Sequence, residues 1–549
     1  MSSITRSTQF GVLLSVMACT WLTGCVGPFS DDPMPAMHVP AERLRSIQTL
    51  DLEQMQEKDT AAPDATEPEQ PPPPPAQIEL TIEQCRAIAL ERNLDLAVEL
   101  LNPTIAASHI SEQEARFESL LGFAVMLDKT DTPVSTGLSG SQTDSLSLGA
   151  SVDVPLRTGG NLRFEMPLNR FKTDNAFSTL NPAYTADFSI SISHNLLRNA
   201  GHRTNMHAIR IAHYQQQQSE ARTKLETIRV LADVDRAYWV LDAVRRELEV
   251  RKREHDLAVA QLERVRRQVK AGTQPEVEIV RAETGVAETL EAIIIAENRV
   301  RDAQRVLKRI LNRRDLPQIG PTIIVPTTLP NPRMLQLDRD RLVDAALSQR
   351  MELLELELQL AVDASTIDFA RNQTLPLAVL DYRYNINGLG EDFGGAYHVM
   401  GNKSFEDHRI GLRVEAPIGN EAARSQLRRA LLERVQRLAT RRQRAAQVTY
   451  EVLGAADQLE VNWQRILAAQ TRAVMAARNL AAEQRQFEIG LRTSTDVLEA
   501  QARLADAQSA EVRAIADYQI AQVDLAFATG TVLGASRVYW EPSDPDQIP

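Results

Sequence analysis

The stretch IGLRTSTDVLEA, residues 489–500, ends one long polar helix at Gly490 and begins another a few residues later. A related stretch, AGTQPEVEIVRA, residues 271–282, does the same at Gly272, and its Pro275 suits the first turn of the next helix. Acidic residues follow both breaks. The two stretches therefore predict two helical hairpins with closely related turns.

The similarity between the two halves of the chain extends well beyond these turns. An offset of 218 places Gly272 on Gly490, Glu278 on Asp496 and, without a gap, Leu307 on Leu525. Near the start of each half the offset grows to 257, so the first half is longer by 39 residues between about 119 and 188. The sequence thus predicts a two-fold internal repeat whose first copy carries one additional β-hairpin.

Two segments are long enough to form very long helices. Neither Gly nor Pro occurs in the 67 residues from Thr204 to Lys270, and only Gly454 interrupts the 69 residues 420–488. Each would span roughly 100 Å, and apolar residues three and four apart are typical of coiled-coil helices. Pairs of shorter helices, stacked end to end, are predicted to flank each long one, over residues 81–118, 276–312, 338–370 and 494–529. Pro103 is expected to kink or split the first of them.

Segments with period-two alternation lie between the helices, at about 119–194 in the first half and 377–416 in the second. Six candidate strands occur there, and each shows one apolar and one polar face. A transmembrane β-barrel around an aqueous lumen has this pattern, and so does a soluble β-sandwich. Long polar connections at 129–144, 169–182 and 387–408, beside a tight turn at 158–160, favour the barrel.

The N-terminus has the features of a lipoprotein signal. Arg6 precedes an apolar run from Phe10 to Met17, and Leu22-Thr23-Gly24-Cys25 resembles a bacterial lipobox. We therefore predict a signal peptide over residues 1–24 and lipidation, including palmitate, at Cys25. A membrane-spanning anchor is the alternative, but it needs about 20 apolar residues. Residues 25–77, with five consecutive prolines, are predicted to form an extended or disordered tether.

Composition argues against several classes of function. The net charge is −12, whereas nucleic-acid binding needs clustered excess Lys and Arg. The nine His residues show no metal-ligand spacing, and the Gly-rich stretch at Gly388-Leu389-Gly390 lacks a βαβ context. No nucleophile elbow or HExxH-type motif occurs. We therefore expect no enzyme activity, no metal and no cofactor.

Four stretches, taken together and in order, carry a family resemblance. They are LTIEQCRAIALERNLDL at 80–96, SISHNLLRNAG at 191–201, LRVEAPIGN at 412–420 and IGLRTSTDVLEAQARLADAQ at 489–508. Over about residues 78–531 the chain resembles the TolC-like outer-membrane efflux protein family. The resemblance implies a mainly α fold with membrane β-strands, in which antiparallel coiled-coil helices form a periplasmic α-barrel continuous with an outer-membrane β-barrel, as a homotrimer.

This reading divides the chain into two repeats. The first covers 78–312 and the second 337–531, with a linker at 313–336 and a C-terminal tail at 532–549. The family contributes four strands per copy to its barrel, whereas this chain shows six candidates. Either the barrel is wider or the additional hairpin, at about 145–168, lies outside it.

The resemblance also assigns roles at the helical tips, where the family meets a periplasmic adaptor protein. It implies an adaptor contact for Gly272 in the first turn and for Ile489, Gly490, Leu491 and Thr493 in the second. The first turn keeps the Gly but lacks the Leu and Thr of the family pattern. Both glycines are equally explained by a helix C-cap, which requires a positive φ.

A closed entrance held by neighbouring tips is a further implication of the resemblance. Arg492, two residues after the second Gly, and Glu278, six after the first, are its expected partners. Asp496 and Glu499 would ring the opening, where carboxylates favour cations. The alternative for these two acids is stabilisation of a helix N-terminus, worth roughly a few tenths of a kcal/mol. Phe487 lacks the hydroxyl that the family pattern places there.

The resemblance implies a passive export duct, the outer-membrane component of a tripartite efflux pump or type I secretion system. Its partners would be a periplasmic adaptor, an inner-membrane transporter and outer-membrane lipid. The expected location is the outer membrane of a Gram-negative-type bacterium, with a lipid anchor and helices in the periplasm. The alternative is a lipid-anchored coiled-coil protein that spaces the envelope without a channel.

Overall fold

The computed structural model describes residues 77–135, 140–317, 320 and 322–541. The predicted signal peptide, Cys25 and the tether up to residue 76 lie outside the described residues, as do residues 542–549 of the predicted tail.

Helices and strands alternate along the chain in two blocks. In chain order they are β1 (Gln77–Leu80), α1 (Ile82–Arg92), α2 (Leu94–Glu99), α3 (Asn102–Glu114), β2 (Leu120–Asp131), β3 (Gln142–Pro155), β4 (Gly160–Thr173), β5 (Ala183–Ala186), β6 (Phe188–Asn195), α4 (His202–Asn205), α5 (His207–Lys270), α6 (Val277–Leu311), β7 (Ile323–Pro326), α7 (Arg339–Gln349), α8 (Met351–Gln373), β8 (Leu377–Ile386), β9 (Leu389–Gly390), α9 (Phe393–Gly401), β10 (Glu406–Glu415), α10 (Glu421–Glu488), α11 (Ser494–Thr529) and α12 (Val532–Ala535).

The two longest helices organise the helical part of the molecule. Helix α5 has 64 residues and α10 has 68, so each is about 100 Å long. Shorter helices pack along them, with α1, α2, α3 and α6 against α5 and with α7, α8 and α11 against α10. Helix α11 also packs against α5, which joins the two blocks. The predicted flanking of each long helix by shorter ones is confirmed.

Two of the predicted flanking helices are broken where the sequence alone suggested continuity. The first divides at Asn93 as well as near Pro103, which occupies the first turn of α3. The prediction of one helix over 338–370 is wrong, because Arg350 has an extended backbone and separates α7 from α8. Both breaks are stabilised by distant partners. Asn93 donates to the Ile310 carbonyl at 3.0 Å, and Arg350 donates to the Ala528 carbonyl at 3.2 Å.

The main sheet is antiparallel and has the strand order β10-β8-β6-β4-β3-β2. The short strands β5 and β9 continue it next to β4. All six predicted strands are therefore in one sheet, and the additional hairpin β3–β4 lies in its interior, between β2 and β6. The strands β2, β6, β8 and β10 join helices at one end of this sheet, which we call its helical end.

Cross-strand pairing sorts the side chains onto two different faces, as the alternation predicted. One row across β4, β6 and β8 is apolar and consists of Phe164, Ile190 and Tyr384. The neighbouring row on the other face is polar and consists of Arg163, Ser191 and Arg383. We call these the apolar face and the polar face of the sheet.

The connections away from the helical end are more structured than predicted. The segment 387–408 was expected to be a long polar loop, but it contains β9, α9 and the start of β10. Helix α9 is capped by the Asp392 side chain and packs on β5 and β9. Strand β4 likewise extends to Thr173, into the segment 169–182 that was predicted to be a loop.

A small parallel sheet lies beside the middle of α5. Strand β1 pairs with β7, so the predicted linker 313–336 includes a strand. The buried Tyr238 of α5 fixes both chain segments, since its hydroxyl donates to the Leu80 carbonyl at 3.1 Å and accepts from the Thr328 N–H at 2.8 Å. Cys85, Leu307 and Ile324 complete the buried core around it.

Among the described helices, we find none with a stretch long and apolar enough to cross a membrane.

The helical tips as the candidate functional site

The two helical hairpins end in turns of the same geometry. Gly272 has a φ of 74° and Gly490 a φ of 79°, in the left-handed region that strains any other L-residue. In each turn two N–H groups bond back to the last carbonyls of the helix, at 2.9 and 3.0 Å after α5 and at 3.0 and 2.9 Å after α10. This is a Schellman cap, and the predicted positive φ at both glycines is confirmed.

The second turn is held more firmly than the first, because it has a complete capping box. The Thr493 hydroxyl accepts from the Asp496 N–H at 3.4 Å, and the Asp496 carboxylate accepts from the Thr493 N–H at 2.8 Å. Hydrogen bonds from the Thr493 backbone and side chain lower the pKa of Asp496. No side chain caps α6, which begins after Glu276. Asp496 therefore stabilises a helix N-terminus, the alternative that its position left open.

The two tips pack against each other through a shared apolar cluster. It takes side chains from all four helices and includes Leu262, Val265, Ala282, Leu480, Phe487, Val497 and Ala500. Phe487 is 1% exposed, so the position that lacks the family hydroxyl is part of this core. Helix α6 also approaches α11 closely at Gly285, where an added Cβ would be 2.8 Å from the Leu498 side chain. The tips thus form one packed unit within the chain.

Glu278 is the polar link between the two hairpins. Its side chain is almost fully buried, and its carboxylate accepts from the Ser494 N–H at the start of α11, at 3.1 Å. The other oxygen accepts from Arg281 at 2.6 Å. A carboxylate at a helix N-terminus complements the positive end of the helix dipole. Within the chain Glu278 therefore joins α6 to α11 and does not contact Arg492.

Arg492 lies on the outside of the second turn. Its Nε donates to Gln486 at 3.0 Å and lies 3.2 Å from the Glu483 carboxylate, and its Nη1 lies 3.8 Å from Asp496. The side chain is 46% exposed. Each such exposed pair contributes at most about 1 kcal/mol. The Glu483 and Gln486 contacts could not be predicted from the sequence, since both are polar positions in a long polar helix.

The remaining predicted tip residues are exposed. Ile489 is 70% exposed and Leu491 is 73% exposed, although both are large apolar side chains. Glu499 is exposed and lies 2.9 Å from Arg503, one turn further along α11. Exposed apolar side chains next to each other are typical of contact surfaces. The second turn therefore presents two apolar side chains beside exposed charges.

A cavity of about 500 Å³ lies behind the tips, between α6 and α11. Its wall includes Glu254, Arg281, Glu288 and Glu499. Burial raises the pKa of Glu254, although Arg251 donates to it at 2.8 Å. In the described ranges, His, Cys, Asp and Glu side chains nowhere gather in threes in a way that could hold a metal ion.

Comparison with known proteins places this architecture among outer-membrane channels. The sequence model of the outer membrane efflux protein family matches residues 168–313 and 342–531, more than half of the chain. The outer membrane protein TolC of Vibrio cholerae is 22% identical over 317 residues, which cover 54% of this chain and 67% of that protein.

Solved structures agree at the level of the fold. CusC superposes with a TM-score of 0.61 at 15% identity, over 86% of this chain and 99% of that one. The Campylobacter jejuni outer membrane channel CmeC superposes with a TM-score of 0.60 at 14% identity, over 85% and 88%. The family match covers both helical hairpins and their tips. The chain belongs to the outer membrane efflux protein family.

Proposed function

We propose that the protein is the outer-membrane channel of a tripartite efflux pump or type I secretion system, a passive duct gated at its helical tips. The observation that carries this proposal is the placement of a sheet with one apolar and one polar face at one end of helices about 100 Å long. An apolar face suits lipid, and a polar face suits a water-filled lumen. The helices have the length needed to reach deep into the periplasm.

The duct is a homotrimer in this proposal, with Cys25 lipidated in the outer membrane. The tips meet a periplasmic adaptor, which in turn engages an inner-membrane transporter. Ile489 and Leu491 support the adaptor contact, because both apolar side chains are exposed at the end of the molecule. Gly272, Gly490 and Thr493 contribute by fixing the shapes of the two turns.

The gate consists of charges at the second tip and its neighbours in the trimer. Arg492 keeps nearly half of its side chain exposed despite its contacts within the chain, so the exposed part is available to a carboxylate of the adjacent copy. Asp496 and Glu499 follow on α11, and three copies bring six carboxylates to the opening. Such a ring attracts cations and repels anions. Glu278 acts indirectly, since it fixes the start of α11 on which these side chains lie.

Channel recordings test the gate. Arg492→Ala removes the contacts that hold neighbouring tips together, so we expect single-channel conductance in planar bilayers to rise several-fold. Arg305→Ala is the matched control, because Arg305 forms an exposed pair with Asp302 on α6, far from the tips. Equal conductance of wild type and Arg492→Ala would remove Arg492 from the gate.

A further inference from the structure

Two strands of the main sheet have an unpaired edge. Strand β2 pairs only with β3, and β10 pairs only with β8, among the residues that the structure describes. Every interior strand has neighbours on both sides. In lipid an open strand edge leaves backbone N–H and C=O groups without partners, so a membrane sheet has to close.

The apolar face is most exposed on these same two strands. Its residues there are between 60% and 79% exposed: Leu121, Phe123, Val125 and Leu127 on β2, and Ile410, Leu412 and Val414 on β10. The alternation is the same on both strands, so joining β2 to β10 continues the apolar face on one side. A second copy of this chain supplies the matching edge.

Strand direction allows this junction between two copies. Strand β2 follows α3 and runs away from the helical end, whereas β10 leads into α10 and runs towards it. Placed side by side, β2 of one copy and β10 of the next are antiparallel, like the other neighbours in the main sheet. Six strands per copy, an even number, keep this alternation intact around a closed ring.

The additional hairpin β3–β4 is an integral part of the sheet. Its turn is fixed against the junction that leads to α5, because the Thr158 carbonyl accepts from Gly201 N–H at 2.9 Å and the Gly159 carbonyl accepts from Asn195 N–H at 3.2 Å. At Gly159 an added Cβ would be 2.2 Å from the Asn199 carbonyl oxygen. These hydrogen bonds and this close packing hold the turn against the residues that connect β6 to α5.

Ion pairs on the polar face also cross from the hairpin to the rest of the sheet. The Glu165 carboxylate on β4 lies 2.7 Å from Arg163 and 3.3 Å from Arg383 on β8. Arg163 lies 3.6 Å from Asp153 on β3. If β3 and β4 were outside the barrel wall, these ion pairs and the pairing of β4 with β6 would be lost.

We propose that three copies close an eighteen-stranded barrel, with β2 of each copy paired to β10 of the next. This rests on the trimer and membrane location of the proposed function. At a strand spacing of about 4.8 Å and a tilt of about 40°, such a barrel is about 36 Å across, against about 24 Å for twelve strands. The polar face, with its Arg and Glu side chains, lines the wider mouth.

Disulfide trapping in the full-length protein tests the junction. Ala124→Cys places a thiol on the polar face in the middle of β2. It is combined in turn with a cysteine at each polar-face position of β10, which are Asp407, Arg409, Gly411, Arg413 and Glu415. Because the register between β2 and β10 of neighbouring copies is unknown, the five positions sample the whole length of β10. We expect at least one pair to convert most chains to covalent trimers under oxidation, reversed by reductant.

The control series moves the first cysteine one strand inward. Gly149→Cys lies directly opposite Ala124 on β3, on the same face, and has free space for the side chain. Combined with the same five cysteines on β10, it should give no covalent trimer. Strand β3 lies inside the sheet, so β2 separates it from the neighbouring copy. The native Cys85 does not interfere, since burial raises its pKa to about 12.

Three outcomes separate this proposal from the proposed function. Covalent trimers from the β2 series alone, and eighteen strands in a cryo-EM map of the purified trimer, support the wider barrel. A trimer that gives no β2–β10 disulfide, or that shows twelve strands, overturns the wider barrel and leaves the export duct standing. A particle that is monomeric by light scattering overturns both.

Discussion

At the scale of single residues, the tip depends on one buried carboxylate that two helices share. Glu278 comes from the first hairpin, and its carboxylate accepts from the Ser494 N–H at the start of α11. The first N–H groups of a helix have no partner inside the helix, so a buried start needs a partner from elsewhere. Ser494 is fully buried. Glu278 therefore sets where α11 begins relative to α6.

The variant Glu278→Gln tests this role. It keeps the shape of the side chain but loses the charge that the helix dipole and Arg281 complement, which costs about 1–3 kcal/mol locally. We expect backbone amides in the first turn of α11 to exchange with deuterium about tenfold faster or more, as measured by mass spectrometry of the intact protein.

A matched control is available five residues away. Glu283 also lies on α6 and forms an ion pair, but with the exposed Arg266 at 3.0 Å. Glu283→Gln should leave the exchange of the α11 amides unchanged, because exposed pairs contribute little. If both variants exchange alike, Glu278 does not position the start of α11.

At the scale of secondary-structure elements, the breaks in the flanking helices show how distant contacts decide where a helix ends. Asn93 and Arg350 occupy aligned positions near the start of the two halves, and each ends a helix of 11 residues. Arg350 is 5% exposed, and its guanidinium reaches Glu352 at 2.6 Å and Glu451 at 3.0 Å. Burying this side chain turns the backbone out of the helix. The break thus locks α7, α8, α10 and α11 together.

Removing this guanidinium should destabilise the whole junction. Arg350→Ala removes the most buried cation beside two partly buried carboxylates and leaves them only Arg444, at 3.2 Å from Glu352 and 3.4 Å from Glu451. We expect a loss of about 2–3 kcal/mol of local stability at neutral pH. Thermal unfolding and amide exchange in α7 and α8 measure it. Arg341→Ala is the control, because Arg341 lies on α7, the helix that ends at the break, and its side chain is 88% exposed.

The effect of Arg350→Ala should also depend on pH. Burial alone raises the pKa of Glu352, but hydrogen bonds from Arg350 and from the backbone, together with the charges of Arg350 and Arg444, outweigh it, so the pKa is lowered. A carboxyl with a lowered pKa contributes stability above the ordinary glutamate value of about 4.3, and this is lost as pH falls through the folded value. The difference between wild type and Arg350→Ala should therefore shrink below about pH 4. A difference that stays constant would exclude the charge as its cause.

At the scale of the whole molecule, a sheet and a helical bundle share one chain without a separate linker. The strands leave and enter the helices at the helical end of the sheet. The apolar face is exposed in the single chain, at residues such as Phe123 and Ile410. In a lipid bilayer that surface would be covered, whereas in water it would be a large apolar patch.

Membrane retention without the lipid anchor tests whether the apolar face of the sheet lies in the membrane. Replacing residues 1–25 with a signal peptide cleaved by the general signal peptidase yields a chain without Cys25 that is still exported. We expect it to stay in the outer-membrane fraction during detergent-free alkaline extraction, because the strands hold it there. The unaltered protein is the control.

Release of this variant into the soluble periplasm would contradict the export duct. It would favour the alternative of a lipid-anchored coiled coil that spaces the envelope, since such a rod depends on its anchor alone. A comparison of the two proteins in the same fractionation distinguishes these outcomes directly.

The turns, the long helices and the strand alternation could be predicted from the sequence, because each depends on interactions between residues close together in the chain. The turns at Gly272 and Gly490 depend on a positive φ that few residues other than glycine adopt, so the residue type identifies them. The long helices follow from stretches of more than 60 residues without Pro, in which Gly454 is the single Gly. The alternation of apolar and polar residues follows from the apolar face and the polar face of the sheet. This alternation predicted the position of the hairpin β3–β4 correctly.

Contacts between distant residues decided the rest. The partner of Glu278 lies 216 residues away, and Asn93 ends its helix with help from a carbonyl 217 residues away. The place of β3–β4 between β2 and β6, and the pairing of β1 with β7, likewise depend on segments that meet only in the folded chain. Helix propensity and alternation are properties of neighbours along the chain, whereas the break at Arg350 exists because a buried charge must reach its partners.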